Sequence, residues 1–176
     1  PGAKGRGHAR GERKAPGGGR GRKNEVVSRD DNGVPGDAVR AAGELLTREH
    51  VTLLMGTFAS NSGLAVADRA KRRHVLFIAA EPLTDKIVWE DGNKYTFRLR
   101  ASTYMQTAML VPDAVKLRKK RWAIVYPDYE YGHAATATFS QQMQVLQGAG
   151  RAFVAQGVPL GTLRPGGGRQ ARRACP

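Results

Sequence analysis

The order of apolar and polar positions predicts that short strands alternate with helices through the middle of the chain. Apolar runs typical of buried strands lie at residues 51–55 and 75–79, and helical spacing of apolar residues is found at 38–49 and 62–72. We expect the two apolar runs to be covered on both faces, as strands of a parallel sheet usually are. The alternation predicts an α/β fold with a mainly parallel sheet and right-handed crossovers.

Shorter and less apolar segments flank this pattern. A strand is predicted at 25–29, and Asp37 in the following turn is a favourable N-cap for the helix at 38–49. Beyond residue 94 the pattern predicts an alternating strand, a helix that Pro112 kinks or restarts, a buried strand, a second helix and a last short strand. These elements lie at 95–100, 103–119, 122–126, 134–147 and 152–155.

Positive charge is concentrated at the two ends of the chain. The formal net charge is +14, from 29 Lys and Arg residues against 15 Asp and Glu residues. Residues 1–23 hold eight basic residues and one acid, residues 161–176 hold four arginines and no acid, and residues 24–160 carry only +3. Both ends are rich in glycine and poor in large apolar residues, so we expect them to be disordered.

The same sequence disfavours several classes of protein. No apolar run reaches the roughly 18 residues that a membrane-spanning helix needs, and no apolar stretch typical of a signal peptide follows the basic N-terminus. The single cysteine, Cys175, excludes an internal disulfide, and the four histidines show no metal-ligand spacing. We therefore expect neither a metal nor a cofactor.

Polar loops follow three of the predicted strands. In parallel sheets ligands bind outside the carboxyl ends of the strands, which here are the loops 56–62, 80–85 and 127–133. These loops are rich in hydroxyl-bearing, small and tyrosine residues, which suit hydrogen bonding to a small polar ligand. Catalysis is the less favoured alternative, because neither Ser60 nor Ser62 has an evident base as a partner.

Three groups of side chains in or near these loops have two interpretations each. Glu81 and Asp85 could act as an acid and a base, although helix capping or pairing with a ligand amine is favoured. The basic run 116–121 could contact phosphates, but the solvated end of a helix is the favoured interpretation. The three tyrosines within 126–131 either stack on a ligand or cluster by chance.

Three segments of the chain resemble a known family in their sequence and their order. They are residues 26–85, which include VVSRDDNG and VTLLMGTFASNSG, residues 95–110 (YTFRLRASTYMQTAML) and residues 121–132 (RWAIVYPDYEYG). Over about residues 24–160 the chain resembles the solute-binding component of bacterial ABC importers, of the Leu/Ile/Val-binding type (type I periplasmic binding proteins). The resemblance implies two α/β lobes, the first a flavodoxin-like lobe with a parallel sheet, that close on an amino acid, an amide or an aromatic acid.

The resemblance also implies which residues hold the ligand. Ser60 matches the family serine that binds the ligand carboxylate, and Tyr131 matches the family tyrosine beside the pocket. The second ligand loop, in which Pro82 and Leu83 replace the usual small residues, is matched by Ala80, Glu81 and Thr84. The family further implies a monomer that is not an enzyme, works in the periplasm with an ABC permease as its partner, and has no specific nucleic-acid partner.

The resemblance ends where the basic segments begin. Family members carry a signal peptide, a first strand and a long helix before the VVSRDDNG segment, and a complete second lobe. We therefore expect 24–121 to be a partial N-terminal lobe and 122–160 the start of the second, between disordered segments at 1–23 and 161–176. We hypothesise that these ends arise from out-of-frame translation or a mis-assigned gene fragment, which predicts weak or no ligand binding. The alternative is a basic α/β protein that binds nucleic acid through its Arg/Gly-rich ends.

Overall fold

Helices and strands alternate along the chain in the structure, a computed structural model that describes residues 25–147 and 152–159. The elements in chain order are α1 (Pro35–Thr47), β1 (Leu53–Gly56), α2 (Ser60–Arg73), β2 (Leu76–Ala79), a 3₁₀ helix (Asp85–Ile87), β3 (Thr96–Arg98), α3 (Thr103–Lys116), β4 (Arg121–Pro127), α4 (Glu130–Gln147) and β5 (Ala152–Val158). The end segments 1–23 and 161–176, for which disorder is predicted, lie outside the described residues.

The strands form two sheets in which every described pair is parallel. β1, β2 and β3 are neighbours in that order, with Leu54 opposite Phe77 and Phe77 opposite Thr96. β4 and β5 pair along their whole length, starting with Arg121 opposite Ala152. The parallel α/β architecture predicted from the sequence is confirmed.

The core lies between the three-stranded sheet and the helices α1 and α2. Leu54 of β1 and Phe77 and Ala79 of β2 are buried on this side of the sheet. Small side chains on the helices allow close approach to these strands, and Ile87 of the 3₁₀ helix closes the same cluster. The buried helical residues of the cluster are Ala38, Ala42, Val66, Ala67 and Ala70.

The opposite side of the three-stranded sheet is open, so the prediction that its strands are covered on both faces is wrong. Leu53 and Met55 of β1 are 42% and 49% exposed, while Leu54 between them is buried. The prediction that the strand within 121–127 is buried is also wrong, because half-buried and exposed residues alternate along β4. An apolar run shows that a strand can be buried, but distant elements decide how many of its faces are covered.

The strand predicted at 25–29 is absent from the structure. This segment has no strand conformation, and no described strand pairs with it. Val26 remains 41% exposed. A strand depends on hydrogen bonds to a neighbour, and no sequence pattern within 25–29 provides one.

Helix α1 begins two residues before the predicted N-cap. Its N-cap is Val34 and its first residue is Pro35, whose missing N–H costs nothing at this position. Asp37 lies in the first turn of the helix, where its carboxylate accepts hydrogen bonds from the side chains of Asn32 and Arg40. The prediction of Asp37 as N-cap is therefore wrong, although its negative charge still lies at the favourable end of the helix.

The later elements differ from their predictions mainly at their ends. α3 contains Pro112 and continues to Lys116, and α4 starts at Glu130 instead of residue 134. β5 extends to Val158, three residues beyond the predicted end. No helix among the described residues is both long and apolar enough to span a membrane.

Candidate ligand-binding site

Two of the predicted ligand loops meet at the carboxyl edge of the three-stranded sheet. The first follows Gly56 at the end of β1 and leads into α2, and the second follows Ala79 at the end of β2. The backbone N–H of Ala80 donates to the carbonyl oxygen of Gly56 at 3.1 Å. Parallel strands bring their carboxyl ends to one edge, which explains why loops 24 residues apart in sequence are neighbours here.

The hydroxyl of Ser60 joins the two loops. Ser60 is the first residue of α2, and its Oγ accepts the backbone N–H groups of Leu83 and Thr84 at 3.2 and 3.3 Å. A serine hydroxyl has two acceptor positions and one proton, so this proton remains to be donated to a further acceptor. The N-terminal end of α2 adds a partial positive charge, so the position is favourable for an anion such as a carboxylate.

Thr84 extends this connection toward the second sheet. The Thr84 side chain is fully buried, and its hydroxyl donates to Oε1 of Glu130 at 2.8 Å. The ammonium of Lys86 lies 3.4 Å from the same oxygen and balances its charge. Because Glu130 begins α4 and Tyr131 follows it, this contact brings the first turn of α4 beside the loop that contains Thr84.

Glu130 and Lys86 are two residues of this edge that were not predicted from the sequence. The only sequence signal for Glu130 was an acidic residue shortly after a strand, which is common at helix N-termini. Nothing in the spacing of the two residues, 44 positions apart, predicts their contact.

The two carboxylates of the second loop have separate partners. Glu81 forms an ion pair with Arg100. The carboxylate of Asp85 accepts the hydroxyl of Thr103 and the backbone N–H of Tyr104, the latter at 2.9 Å, at the start of α3. Asp85 therefore satisfies one backbone N–H in the first turn of α3, whose N-cap is Ser102.

Arg98 places a second cationic group beside the second loop. Its guanidinium donates to the carbonyl oxygen of Thr84 at 3.3 Å and to that of Arg100 at 2.9 Å. Burial lowers the pKa of Arg98, and the nearby charge of Asp85 acts in the opposite direction. A guanidinium group is not deprotonated in proteins at neutral pH, so Arg98 keeps its positive charge.

The three tyrosines lie at the end of β4, in the turn that follows it and in the first turn of α4. The ring centroids of Tyr129 and Tyr131 are 6.0 Å apart, and Tyr126 contacts His133 edge to face at 5.2 Å. Burial raises the pKa of the Tyr129 phenol, and Tyr131 adds to the effect. Tyr129 therefore remains a hydrogen-bond donor throughout the neutral range. The Nε2 atom of His133 lies 3.0 Å from the carboxylate of Asp128.

Close packing between α2 and the second loop depends on Gly63. A Cβ atom at this position would lie 2.7 Å from Cβ of Pro82 and 3.3 Å from Oγ1 of Thr57. Atoms at the first of these distances overlap, so only glycine allows the loop to approach α2 this closely. The hydroxyl oxygens of Thr57 and Ser62 are buried here without a hydrogen-bond partner.

Other groups considered from the sequence lie away from this edge. Residues 116–121 are all exposed, at the end of α3 and the start of β4. A polar crevice of about 260 Å³ between α2 and the turn at 90–93 contains none of the predicted site residues. Among the described residues, no group of three or more His, Cys, Asp or Glu side chains could hold a metal ion.

A family model described as periplasmic binding protein matches residues 9–166 of the chain. The matched range is wider at both ends than the 24–160 over which the resemblance was recognised. No curated protein matches the sequence.

Solved structures of solute-binding proteins match the chain in both sequence and fold. One from Rhodopseudomonas palustris BisB5, in complex with 3,4-dihydroxybenzoic acid, is 28% identical with a TM-score of 0.71, covering 81% of this chain and 38% of its own. One from R. palustris HaA2, in complex with p-hydroxybenzoic acid, is 25% identical with a TM-score of 0.76. The match covers 87% of this chain and 41% of that protein. An amino-acid ABC transporter substrate-binding protein from Pseudomonas fluorescens Pf-5 is 25% identical with a TM-score of 0.68. The match covers 88% of this chain and 41% of that protein.

The chain spans about two fifths of the length of these solved proteins. The family match extends over most of the chain, and the parallel α/β fold agrees with it. The chain therefore belongs to the type I periplasmic binding proteins, a family of solute-binding components of ABC transporters.

Proposed function

We propose that this chain is part of the substrate-binding component of an ABC importer and binds the carboxylate group of a small organic acid. The hydroxyl of Ser60 carries this proposal. It accepts two backbone N–H groups and lies at the N-terminus of a 14-residue helix, so its own proton is left for an anionic acceptor. A hydrogen bond to a charged acceptor is among the stronger ones in proteins.

The positions of the remaining predicted site residues support the proposal, because they lie in the second loop and in the first turn of α4, which contact each other through Thr84 and Glu130. Thr84 and Ala80 form the wall of the second loop, and Arg98 adds a positive charge behind it. Glu81 is paired with Arg100, so its charge is balanced and does not repel an incoming carboxylate. Tyr131 follows Glu130 in the first turn of α4, next to the contact between Glu130 and Thr84.

The ligand class that we propose is an aromatic carboxylic acid or an amino acid. Solved relatives at 28% and 25% identity contain dihydroxybenzoic and hydroxybenzoic acid, and another is described as an amino-acid transporter component. The neighbouring rings of Tyr129 and Tyr131 support the aromatic acid, because they could stack against a benzoate ring.

We further propose that the parent protein works in the periplasm, delivers its ligand to an ABC permease and carries out no chemical reaction. The chain spans about two fifths of the relatives' length. We propose that it supplies only part of the ligand's contacts, and we expect a dissociation constant on the order of 1 mM, which corresponds to about −4 kcal/mol.

The proposal is tested by NMR titration of the full chain with 4-hydroxybenzoate and with leucine. Ser60→Ala removes the donated hydrogen bond and should weaken binding of the acid about tenfold or more. Ser140→Ala, a serine on α4 outside the site, is the matched control and should leave the affinity unchanged. 4-Hydroxybenzyl alcohol, which lacks the carboxylate, should not bind.

Three results would count against the proposal. They are equal affinity of the wild type and Ser60→Ala, equal binding of the alcohol, and absence of shifts with both acids. The chemical-shift map adds a positional test, since the shifts should centre on the amides of Ser60, Asn61 and Thr84.

A further inference from the structure

Glu130 connects the second ligand loop to the first turn of α4. The hydroxyl of Thr84 donates to Oε1 of Glu130 at 2.8 Å, and the ammonium of Lys86 lies 3.5 Å from Oε2. Glu130 is the first residue of α4, a helix that packs against α3 and β4. The contact therefore joins a loop of the three-stranded sheet to an element of the two-stranded sheet.

This contact uses the one proton of the Thr84 hydroxyl. Thr84 is fully buried, so its hydroxyl cannot exchange Glu130 for water while the loop stays in place. The Glu130 side chain is only 18% exposed, and Lys86 balances its charge. A buried hydroxyl that loses its acceptor is destabilised, which favours the contact in the folded state. The donor to the ligand carboxylate is accordingly Ser60 and not Thr84.

The first turn of α4 is packed closely on the end of β4. A Cβ atom at Gly132 would overlap the carbonyl oxygen of Pro127 and would lie 2.8 Å from Cδ2 of Tyr126, so only glycine allows this approach. The backbone N–H of Tyr129 donates to the same carbonyl oxygen at 2.8 Å. The turn and the end of β4 therefore form one packed unit.

The position of this unit relative to the ligand loops depends on Glu130. A second contact holds α4 about three turns further along, where the side-chain amide of Gln142 donates to the carbonyl oxygen of Tyr104 at 3.1 Å. That contact anchors α4 to α3 and leaves its first turn to be held at the second loop. The rings of Tyr129 and Tyr131, whose centroids are 6.0 Å apart, lie immediately on either side of Glu130 in the sequence.

We propose that Glu130 is a positioning residue that gives the site a preference for aromatic over aliphatic carboxylic acids. This inference rests on the proposed function, in which Ser60 binds the carboxylate of a small organic acid. The contact between Glu130 and Thr84 holds the two tyrosine rings beside the carboxylate site, where they stack against a benzoate ring. Without this contact the carboxylate still binds to Ser60, but the rings are no longer fixed near it.

Two ligands that differ only in their ring separate this role from a general effect on binding. 4-Hydroxybenzoate and trans-4-hydroxycyclohexanecarboxylate carry the same carboxylate and hydroxyl groups, but only the first has an aromatic face. NMR titration of the full chain gives a dissociation constant for each acid, and the ratio of the two constants measures the aromatic preference. A variant that merely loosens the fold weakens both acids and leaves this ratio unchanged.

Loss of the contact should lower the aromatic preference. Glu130→Ala should lower it about fivefold, which is within the range for one aromatic contact. Thr84→Val removes the donated proton, keeps the backbone N–H that Ser60 accepts, and should lower the preference equally. The double variant should show no further loss, because both changes break the same contact. Glu130→Gln keeps an oxygen that accepts the Thr84 hydroxyl and should retain the preference.

Two further variants serve as controls. Glu44→Ala removes a partly buried carboxylate that is paired with Arg40 on α1, and it should change neither dissociation constant. Ser60→Ala should weaken both acids to the same extent and leave their ratio unchanged. Circular dichroism establishes that each variant is folded, and Thr84→Val replaces Glu130→Ala if the latter is not.

Four results would overturn the proposal. They are a wild type without aromatic preference, an unchanged ratio in Glu130→Ala, tighter binding in this variant, which would make Glu130 a competitor of the ligand, and an equal loss of preference in Glu130→Gln. If Ser60→Ala weakens both acids while Glu130→Ala leaves the ratio unchanged, only this inference fails. If neither acid binds, or Ser60→Ala has no effect, the proposed function fails and this inference fails with it.

Discussion

The two sheets of this molecule are stabilised in different ways. The three-stranded sheet has a cluster of fully buried residues beneath it, including Phe77 and Ala79. The two-stranded sheet has the longer ladder, with seven residue pairs, but no residue of β4 or β5 is buried. Its side-chain contacts include the edge-to-face rings of Trp122, Phe139 and Phe153.

This difference shows that strand length and stability need not follow each other. Ladder hydrogen bonds replace bonds to water and contribute modestly, whereas burial of large apolar side chains is the dominant favourable contribution to folding. We therefore expect the three-stranded sheet with α1 and α2 to be the stable part of the molecule. The second sheet should open at lower free energy.

The largest expected effect comes from removing one phenylalanine from each sheet. Phe77→Ala leaves a cavity beneath β2, where the side chain is 1% exposed, and should lower the free energy of unfolding by about 3–5 kcal/mol. Phe153→Ala on the half-buried face of β5 should cost about 1–2 kcal/mol, because less surface leaves water in the folded state.

Urea denaturation followed by circular dichroism at a fixed protein concentration measures both values. Equal destabilisation by the two variants would show that the second sheet is packed as well as the first, and the proposed difference would then be wrong.

A smaller effect is expected where the second ligand loop packs against α2. Gly63→Ala places a Cβ atom against Pro82 and should destabilise the chain by about 1–3 kcal/mol through overpacking. The matched control is Gly36→Ala in α1, where a Cβ meets no atom within 4 Å. That variant should be neutral or stabilising by about 0.4–1 kcal/mol, because alanine has less freedom in the unfolded chain.

Thermal unfolding compares these two glycine variants under one condition. If Gly63→Ala unfolds at the temperature of the wild type, the second loop can move away from α2. The close packing of the site would then be less rigid than the structure shows.

The smallest effect concerns surface charge in the stable region. A hydrogen bond from Asn32, followed by one from Arg40, lowers the pKa of Asp37 below its ordinary value near 3.9. A carboxylate whose pKa is lower in the folded state stabilises the fold above its unfolded pKa. This contribution is lost as the pH falls through the folded pKa.

Asn32→Gly removes the amide while tolerating the left-handed backbone at this position, where φ is 49°. NMR titration should show that the pKa of Asp37 rises toward its ordinary value. The pKa of Asp113, which Lys116 lowers, should stay the same and serves as the internal control. An unchanged pKa at Asp37 would mean that Arg40 alone determines it.

Much of the secondary structure could be predicted because it depends on local patterns. The helix at α2 and the strands at β1 and β2 followed from helical spacing and short apolar runs, and the parallel pairing followed from their alternation. A strand was also predicted for the less apolar segment 25–29, yet this segment forms none. A strand needs a partner, and the partner is not encoded within the segment.

The candidate site was predictable to a similar extent. The rule that loops at strand ends bind ligands, together with the family resemblance, identified Ser60 and Thr84. The two residues are in contact in the structure, where the backbone N–H of Thr84 donates to Oγ of Ser60 at the carboxyl edge of the three-stranded sheet. Glu130 and Lys86 were not identified, because only the packing of α4 beside the second loop brings them together.

The sequence by itself determined the order of helices and strands, the α/β class and the loops that lie at the carboxyl edge. These properties depend on side-chain periodicity over a few residues. Only the tertiary structure decided that one face of the three-stranded sheet is buried and the other open, and that β4 is shallowly packed. The physical reason is that burial depends on which distant segments cover a surface, and an apolar run is the same in sequence whether one or both of its faces are covered.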